Sequence, residues 1–280
     1  MKLLATSDIH QMGSKWKSLV KICQNESFDI VAIAGDICPK DHGIELQLSF
    51  LPHFKKYAKN IQDTGAKLVF MLGNDDNQHL VPDMLKGHDE GLWIYVADKV
   101  IKIDDYEFVG MPYVPDYPFG YKFWCNPEFH DKPRISYYTV CEPCILDDNN
   151  HFKQIPNFDQ WFECKPSIDE ILSDLAKQVQ DIKKSIWLIH APPSQVMLDV
   201  CQSGSKVGSD AVLKFITDYQ PMLCIHGHIH ESPEYNGHKW SHMIDNSLCI
   251  QGGQLGFDLH YSVLEITDGK IKSKRHSIYE

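Results

Sequence analysis

Arginine is nearly missing from this chain: Arg134 and Arg275 are the only two among 280 residues. A phosphate groove lined with bidentate guanidinium groups is therefore not available. Positive charge is outnumbered as well, with 27 lysines and arginines against 38 acidic residues and a formal net charge of −11. Such a surface repels a polyanion, which disfavours long nucleic acid as a partner, although a small anion can still bind where fixed cations wait in a cleft. No stretch approaches the ~18 apolar residues of a membrane span, so no membrane association is expected. The apolar start, Met1-Lys2-Leu3-Leu4-Ala5, turns polar too early to serve as the h-region of a signal peptide. The nine cysteines are an odd set scattered through apolar runs, as at Cys23, Cys201, Cys224 and Cys249. That usage predicts reduced, mostly buried thiols and a cytoplasmic setting, not a disulfide framework. Internal repeats, low-complexity tracts and flexible linkers are absent too, and nothing in the sequence sets an oligomeric state.

What is present is a globular composition long enough to bury a large core. Five short apolar runs stand out: Leu3–Thr6, Ile30–Ala34, Leu68–Leu72, Ile186–Ile189 and Met222–Ile225. They are strand-length and non-alternating, as expected of strands buried on both faces. Helical spacing joins Trp16, Leu19, Val20 and Cys23. Ser167-Ile168-Asp169-Glu170 reads as a capping box ahead of Leu172, Leu175, Val179 and Ile182, and Ser209 opens a further helix that Pro221 closes. The segment from His42 to Asp63 is also helical in pattern, with a break or kink expected at Pro52. This alternation predicts a mostly parallel sheet covered by helices. Two hairpin signatures, around Asp104-Asp105 and around Asp268-Gly269, are expected to build a second sheet packed on the first. The Pro- and aromatic-rich stretch at about 112–166 shows no period and reads as an insertion in a single domain spanning 1–280.

Each apolar run ends on residues that carry chemistry. The first leads to Asp8 and His10, the second to Gly35-Asp36, the third to Gly73-Asn74-Asp75-Asp76, the fourth to His190, and the fifth to Gly227-His228-Ile229-His230. Ligands of open α/β sheets bind at the carboxyl ends of the strands, so these groups should meet in one cleft. The pairs Asp8/His10 and His228/His230 alternate, which points both members of each to one side of an extended segment. Glycine before Asp36, Asn74 and His228 lets the chain turn tightly there. Carboxylate, imidazole and amide oxygen suit Mn, Fe, Zn or Co. Seven such ligands exceed the need of one ion, whereas two ions ~3.5–4 Å apart, sharing a carboxylate, would use them all.

This ordered set resembles the calcineurin-like metallophosphoesterase superfamily, whose motifs run Asp-x-His, Gly-Asp, Gly-Asn-His-Asp/Glu, His and Gly-His-x-His. The resemblance extends from Leu3 to about Leu264 and leaves 112–166 unmatched. It implies an α/β fold, a four-layer α-β-β-α sandwich with two mixed sheets flanked by helices, around a dinuclear metal centre. By position, Asp8, His10 and His230 would hold one ion, Asn74, His190 and His228 the other, and Asp36 would bridge them. Two divalent cations are the implied cofactor, manganese first, with Fe, Zn or Co as alternatives. The implied activity is hydrolysis of a small phosphomonoester or phosphodiester, nucleotide-like molecules included, by attack of a metal-bridging hydroxide. Asn74 would both ligate through its carbonyl and donate its amide to the substrate phosphate. Two other readings are a DNA-processing nuclease, disfavoured by the acidic charge, and a catalytically weak metal-binding scaffold for protein interaction.

One motif departs from the family pattern. Asp75 stands where a histidine is expected to protonate the leaving group, and a carboxylate beside two cations is a poor general acid. Asp75 is read either as a catalytic group or, with Asp76, as a cap on a helix reaching Leu85. His42 and His79 are the candidate replacement donors. Within the insertion, Arg134 is a candidate clamp on the substrate phosphate. Tyr113, Tyr117, Phe119, Tyr121, Phe123 and Trp124 could stack on a nucleobase, but packing of the insertion onto the core is the favoured reading. Cys141 and Cys144 have zinc-knuckle spacing without a second close pair.

Overall fold

The computed structural model describes residues 1–10, 13–40, 43–132 and 141–279. Strands β1 (Lys2–Thr6), β2 (Ile30–Ala34), β3 (Lys67–Met71) and β4 (Ile94–Tyr95) come first, followed by β5 (Val100–Ile103) and β6 (Tyr106–Met111). The short pair β7 (Cys144–Leu146) and β8 (Phe152–Gln154) precedes β9 (Ser185–Ile189), β10 (Leu223–His226), β11 (Ser241–Ile244), β12 (Ser247–Gln251), β13 (Leu259–Thr267) and β14 (Lys270–Tyr279). The helices are α1 (Gly13–Asn25), α2 (Ile44–Gln62), α3 (Val81–Asp89), α4 (Phe158–Glu163), α5 (Ile168–Ala176), α6 (Asp210–Tyr219) and α7 (Ser232–Tyr235).

Two six-stranded sheets form, in the orders β14-β13-β1-β2-β3-β4 and β11-β12-β10-β9-β6-β5. They face each other, β2 against β9 and β3 against β6; α1, α2 and α3 pack on the first sheet and α5 and α6 on the second, giving an α-β-β-α sandwich. Both sheets are mixed, with parallel central strands; antiparallel pairing lies at one edge of the first sheet and at both edges of the second. The expected division, all parallel strands in one sheet and both hairpins in the other, is therefore corrected. The five apolar runs split between the sheets, and each sheet takes one of the two expected hairpins, the second sheet adding the pair β11–β12. The reason is burial: a central strand is covered on both faces and needs apolar residues throughout, whereas the outer hairpin strand is half exposed, as in β14.

The two-residue period of β9 shows how the layers are filled. Ile186 and Leu188 point into the core between the sheets, while Trp187 and Ile189 pack with Val212, Phe215 and Ile216 of α6. Helix α5 carries its capping box, with Ser167 N–H donating to Glu170 Oε2 at 2.8 Å and Glu170 N–H to Ser167 Oγ at 3.2 Å. It stops at Ala176, short of the helical spacing that reaches Ile182. Helix α2 continues through Pro52. The carbonyl that proline leaves without a partner belongs to the exposed Leu48, where water can satisfy it. Between 112 and 166, where the sequence shows no period, the chain forms β7, β8 and α4.

One pH effect arises at the β13–β14 edge. His276 stacks on Trp240 and lies beside His260, each with ring centroids 5.7 Å away, and donates from Nε2 to Gly252 O at 3.1 Å. Burial, and then His260, lowers its pKa from 6.5 to about 4. The folded chain keeps this imidazole neutral where the unfolded chain takes up a proton, so stability is lost as pH falls from 6.5 towards 4. His276→Gln, which keeps a donor, should make the urea midpoint fall less steeply over that range; equal slopes would exclude the contribution.

Candidate metal centre

The loops that leave β1, β2, β3, β9 and β10 carry the seven candidate ligands, and the fold brings all seven to one edge of the sandwich. Four of them hold a left-handed backbone, with φ of 51° at Asp8, 49° at His10, 54° at Asp36 and 71° at His228. Each costs roughly 1–2 kcal/mol for a residue with a side chain, so the surrounding structure must hold it. Backbone bonds do so: Asp8 N–H donates to Gly35 O at 3.0 Å and His10 N–H to Asp36 O at 2.9 Å. The ligand side chains lock neighbouring loops in turn, with Asp8 Oδ1 accepting from His228 N–H at 2.9 Å and Asp36 Oδ1 from Asp75 N–H at 2.8 Å. Gly73 is needed for room more than for turning, since a Cβ there would lie 2.4 Å from Asp36 Oδ1.

Contacts divide the side chains into two groups joined at Asp36. Asp8, His10, Asp36 and His230 place one ligand atom each within 4.8 Å of one another. In this group His230 Nε2 is 3.3 Å from both Asp8 Oδ1 and His10 Nε2. In the other, Asn74 Oδ1 lies 2.8 Å from His190 Nε2 and 2.6 Å from His228 Nδ1, and His190 Nε2 is 3.4 Å from Asp36 Oδ2.

The chemistry of these contacts calls for positive charge. His190 Nδ1 is 2.8 Å from the carbonyl of Ala34, which can only accept, so Nδ1 carries hydrogen and the neutral ring would present a lone pair at Nε2. That lone pair faces two more acceptors, Asn74 Oδ1 and Asp36 Oδ2. The Asn74 amide is oriented by its own Nδ2, which donates to Asp75 Oδ1 at 2.9 Å. Three acceptors can converge only on a shared proton or a cation. The chain alone answers with a proton: burial disfavours the charged imidazole, but the Asp36 carboxylate outweighs it and lifts His190 to about 10. Burial would raise Asp8 and Asp36, yet the histidines hold Asp8 far below the usual carboxylate range and Asp36 at about 2. His10 and His228 are lowered to about 3, first by burial. Asp8 Oδ2 is buried with no hydrogen-bond partner. Carboxylates kept ionised, neutral imidazoles and one orphaned buried oxygen fit divalent cations, which displace the proton on binding.

The other candidates surround this centre at different distances. Asp75 is beside the site, lifted to about 6 by burial and by the Asp36 charge. The helix-cap reading is corrected: Asn77 caps the turn that leads into α3. Asp76 instead accepts backbone N–H bonds from Ile37 at 3.1 Å, Cys38 at 2.7 Å and Gly73 at 2.9 Å, tying the β2 and β3 loops together. A carboxylate caps whichever free N–H groups it reaches, and here these belong to two loops rather than a helix. His79 turns to the insertion, its Nδ1 2.7 Å from Asn150 Oδ1. His42 and Arg134 lie outside the described residues. Of the aromatics, Tyr117, Phe123 and Trp124 are buried, and Trp124 Nε1 donates to Asp76 O at 2.6 Å. Tyr117 reaches the centre, its ring 6.2 Å from that of His228, and the neighbouring Phe119 is 61% exposed.

Sequence reasoning missed Lys40. Its Nζ lies 3.3 Å from His230 Nδ1 and 3.7 Å from Asp75 Oδ2, and the side chain is half exposed. The available signal was thin: it is the one lysine between Lys21 and Lys55, four residues after Asp36.

Comparison with known proteins agrees with this architecture. A Thermus thermophilus protein of known crystal structure superposes with a TM-score of 0.59 at 14% identity, over 99% of this chain and 98% of its own. A dimetal phosphatase from Danio rerio superposes with a TM-score of 0.54 at 12% identity, over 100% and 99% of the two chains. Among curated protein sequences none matches. The calcineurin-like phosphoesterase model matches residues 1–232, more than half of the chain, and the chain belongs to that family.

Proposed function

We propose that the chain hydrolyses a small phosphate monoester or diester at two divalent cations. In this reading Asp8, His10 and His230 hold one ion, Asn74, His190 and His228 hold the other, and Asp36 is shared. The observation that carries it is the convergence of acceptors on His190 Nε2, 2.8 Å from Asn74 Oδ1 and 3.4 Å from Asp36 Oδ2. Oxygen and imidazole donors support manganese first, with Fe, Zn or Co as alternatives. Bound there, the cations would lower the pKa of a water and polarise the phosphoryl oxygens. The chain's own residues orient the ester: Asn74 donates through its amide, and Lys40 supplies a fixed positive charge at the rim, held by Asp75. The exposed Phe119 supports a nucleotide-like substrate whose base stacks on it. Nine free cysteines support a cytoplasmic setting.

Metal removal and restoration test this reading. Protein stripped with a chelator should be inactive on a chromogenic monoester and a chromogenic diester, and Mn2+ should restore activity with two ions bound per chain. Full occupancy without hydrolysis of either ester would point to a metal-binding scaffold instead.

Two further outcomes are expected. Lys40→Met should lower kcat/KM about tenfold, mostly through KM, because a half-exposed charge–phosphate bond is worth about 1.5 kcal/mol. An unchanged KM would remove Lys40 from the substrate. Bound cations would hold Asp75 ionised, against the lift to about 6 that burial and Asp36 give it without them, so rates across a series of aryl phosphates should fall steeply as leaving-group pKa rises; a flat plot would reveal a general acid.

A further inference from the structure

A second cluster of ligand-type side chains lies away from the seven, on the outer face of the second sheet. Strands β10 and β12 run parallel in a register that pairs Cys224 with Cys249 and His226 with Gln251. The two thiols are therefore neighbours on one face, and His226, two residues beyond Cys224, shares it. The Sγ atoms and an imidazole nitrogen all lie within 4.8 Å of one another, and each residue is 1% exposed or less. His226 Nδ1 sits 2.9 Å from Ile189 O and 3.0 Å from Ala191 O. Both are carbonyls, so Nδ1 carries the hydrogen and Nε2 keeps its lone pair. That Nε2 is buried and has no hydrogen-bond partner. The S–H groups of Cys224 and Cys249 beside it are only weak donors, so the three atoms form a soft set of lone pairs that one cation can hold.

We propose that Cys224, His226 and Cys249 bind a zinc ion, separate from the dinuclear centre, that braces the loop following β10. Softness separates the two sites, since thiolates select zinc over manganese whereas the oxygen and imidazole donors of the other centre do not. Charge fits as well. Two thiolates and a neutral imidazole balance Zn2+, so a neutral unit enters the apolar layer that includes Val212 and Phe215. Each thiol releases its proton to solvent as the metal–sulfur bond forms. Three protein donors leave one of the four tetrahedral positions for a water or a small ligand.

The bracing comes from the connections. Strand β10 ends at His226, and the next four residues, Gly227–His230, carry two of the candidate ligands. Gln251, the β12 partner of His226, donates through Nε2 to Gly227 O and, at 3.3 Å, to Ile229 O. An ion joining the two strands would fix the base from which His228 and His230 project. This part of the inference rests on the proposed function; the binding itself does not.

Cobalt distinguishes the sites, because only sulfur ligands give a thiolate-to-cobalt charge-transfer band in the near ultraviolet. Full-length, chelator-stripped protein titrated with Co2+ should develop that band at one equivalent of thiolate-bound metal, and Zn2+ should abolish it. Cys249→Ala and Cys224→Ala should each lose the band and lower total metal from three ions per chain to two, whereas Cys141→Ser should retain both. X-ray absorption at zinc in the unmodified protein, with manganese filling the other centre, should show two sulfur neighbours and one nitrogen, a readout independent of whether any variant folds. Absence of the band in the unmodified protein overturns the proposal. So does a band that survives Cys249→Ala, or a metal-free Cys224–Cys249 disulfide found by mass. A protein that shows the band but no phosphate-ester hydrolysis would retain this site and lose only the proposed function.

Discussion

Asp36→Asn is expected to release both cations and to lower kcat/KM by at least about a thousandfold, the scale on which a group acting directly on developing charge operates. The substitution is nearly isosteric, and the site tells the two residues apart by charge. Asp36 Oδ1 accepts the Asp75 N–H at 2.8 Å, a bond that an asparagine oxygen can keep. The left-handed backbone at φ 54° also suits asparagine. What changes is the other atom: Oδ2, 3.4 Å from His190 Nε2, becomes an NH2 group with no lone pair to share. The two candidate groups then lose their common member, and Asp8 is left as the one carboxylate among the seven ligands. Metal analysis and rates on a chromogenic ester check this. A variant that binds two ions as tightly as the parent would remove Asp36 from its shared position.

Gly73→Ala tests whether the site tolerates any displacement. The added Cβ would sit 2.4 Å from Asp36 Oδ1, 2.6 Å from Asp36 N and 2.7 Å from His190 Cε1. None of these can give way freely. Asp36 N belongs to the backbone of the β2 loop, and Asp36 Oδ1 is held by Asp75. Gly73 is itself fixed, donating to Asp76 Oδ2 at 2.9 Å and accepting from Asp76 N–H at 3.1 Å. Overpacking of this kind costs about 1–3 kcal/mol. A shift of about 1 Å in a reacting centre costs on the order of a hundredfold in rate. Urea denaturation of the chelated protein should therefore show a lower midpoint, and kcat should fall about a hundredfold with metal restored. An unchanged kcat would mean that Asp36 moves without consequence.

Much of this site could be read from the sequence because burial and chemistry occupy adjacent positions in it. Strands β2 and β9 are covered on both faces, so they appear as unbroken apolar runs, and the polar residue that ends each run is the one that faces the cleft. The assignment of hairpins to sheets was not legible, since a hairpin's local pattern is the same at either edge. Lys40 was missed because a solitary lysine carries no pattern; its meaning comes from His230, distant in sequence. Asp76 was misread as a cap because its carboxylate binds backbone N–H groups of two loops that only the fold brings together. The same blindness explains the cysteines. Cys141 and Cys144 have the suggestive spacing, yet Cys224 and Cys249, on different strands, are the pair the sheet makes neighbours.

The left-handed backbone at Asp8, His10, Asp36 and His228 sets a limit on how this protein can evolve. Glycine would adopt those angles without penalty, so at each position the most comfortable residue is one that holds nothing. Selection for a sturdier fold and selection for the centre therefore oppose each other at the same four residues. A lineage that no longer needed the centre would be expected to lose it first at His10 and His228, because Asp8 and Asp36 also hold the backbone N–H groups of His228 and Asp75.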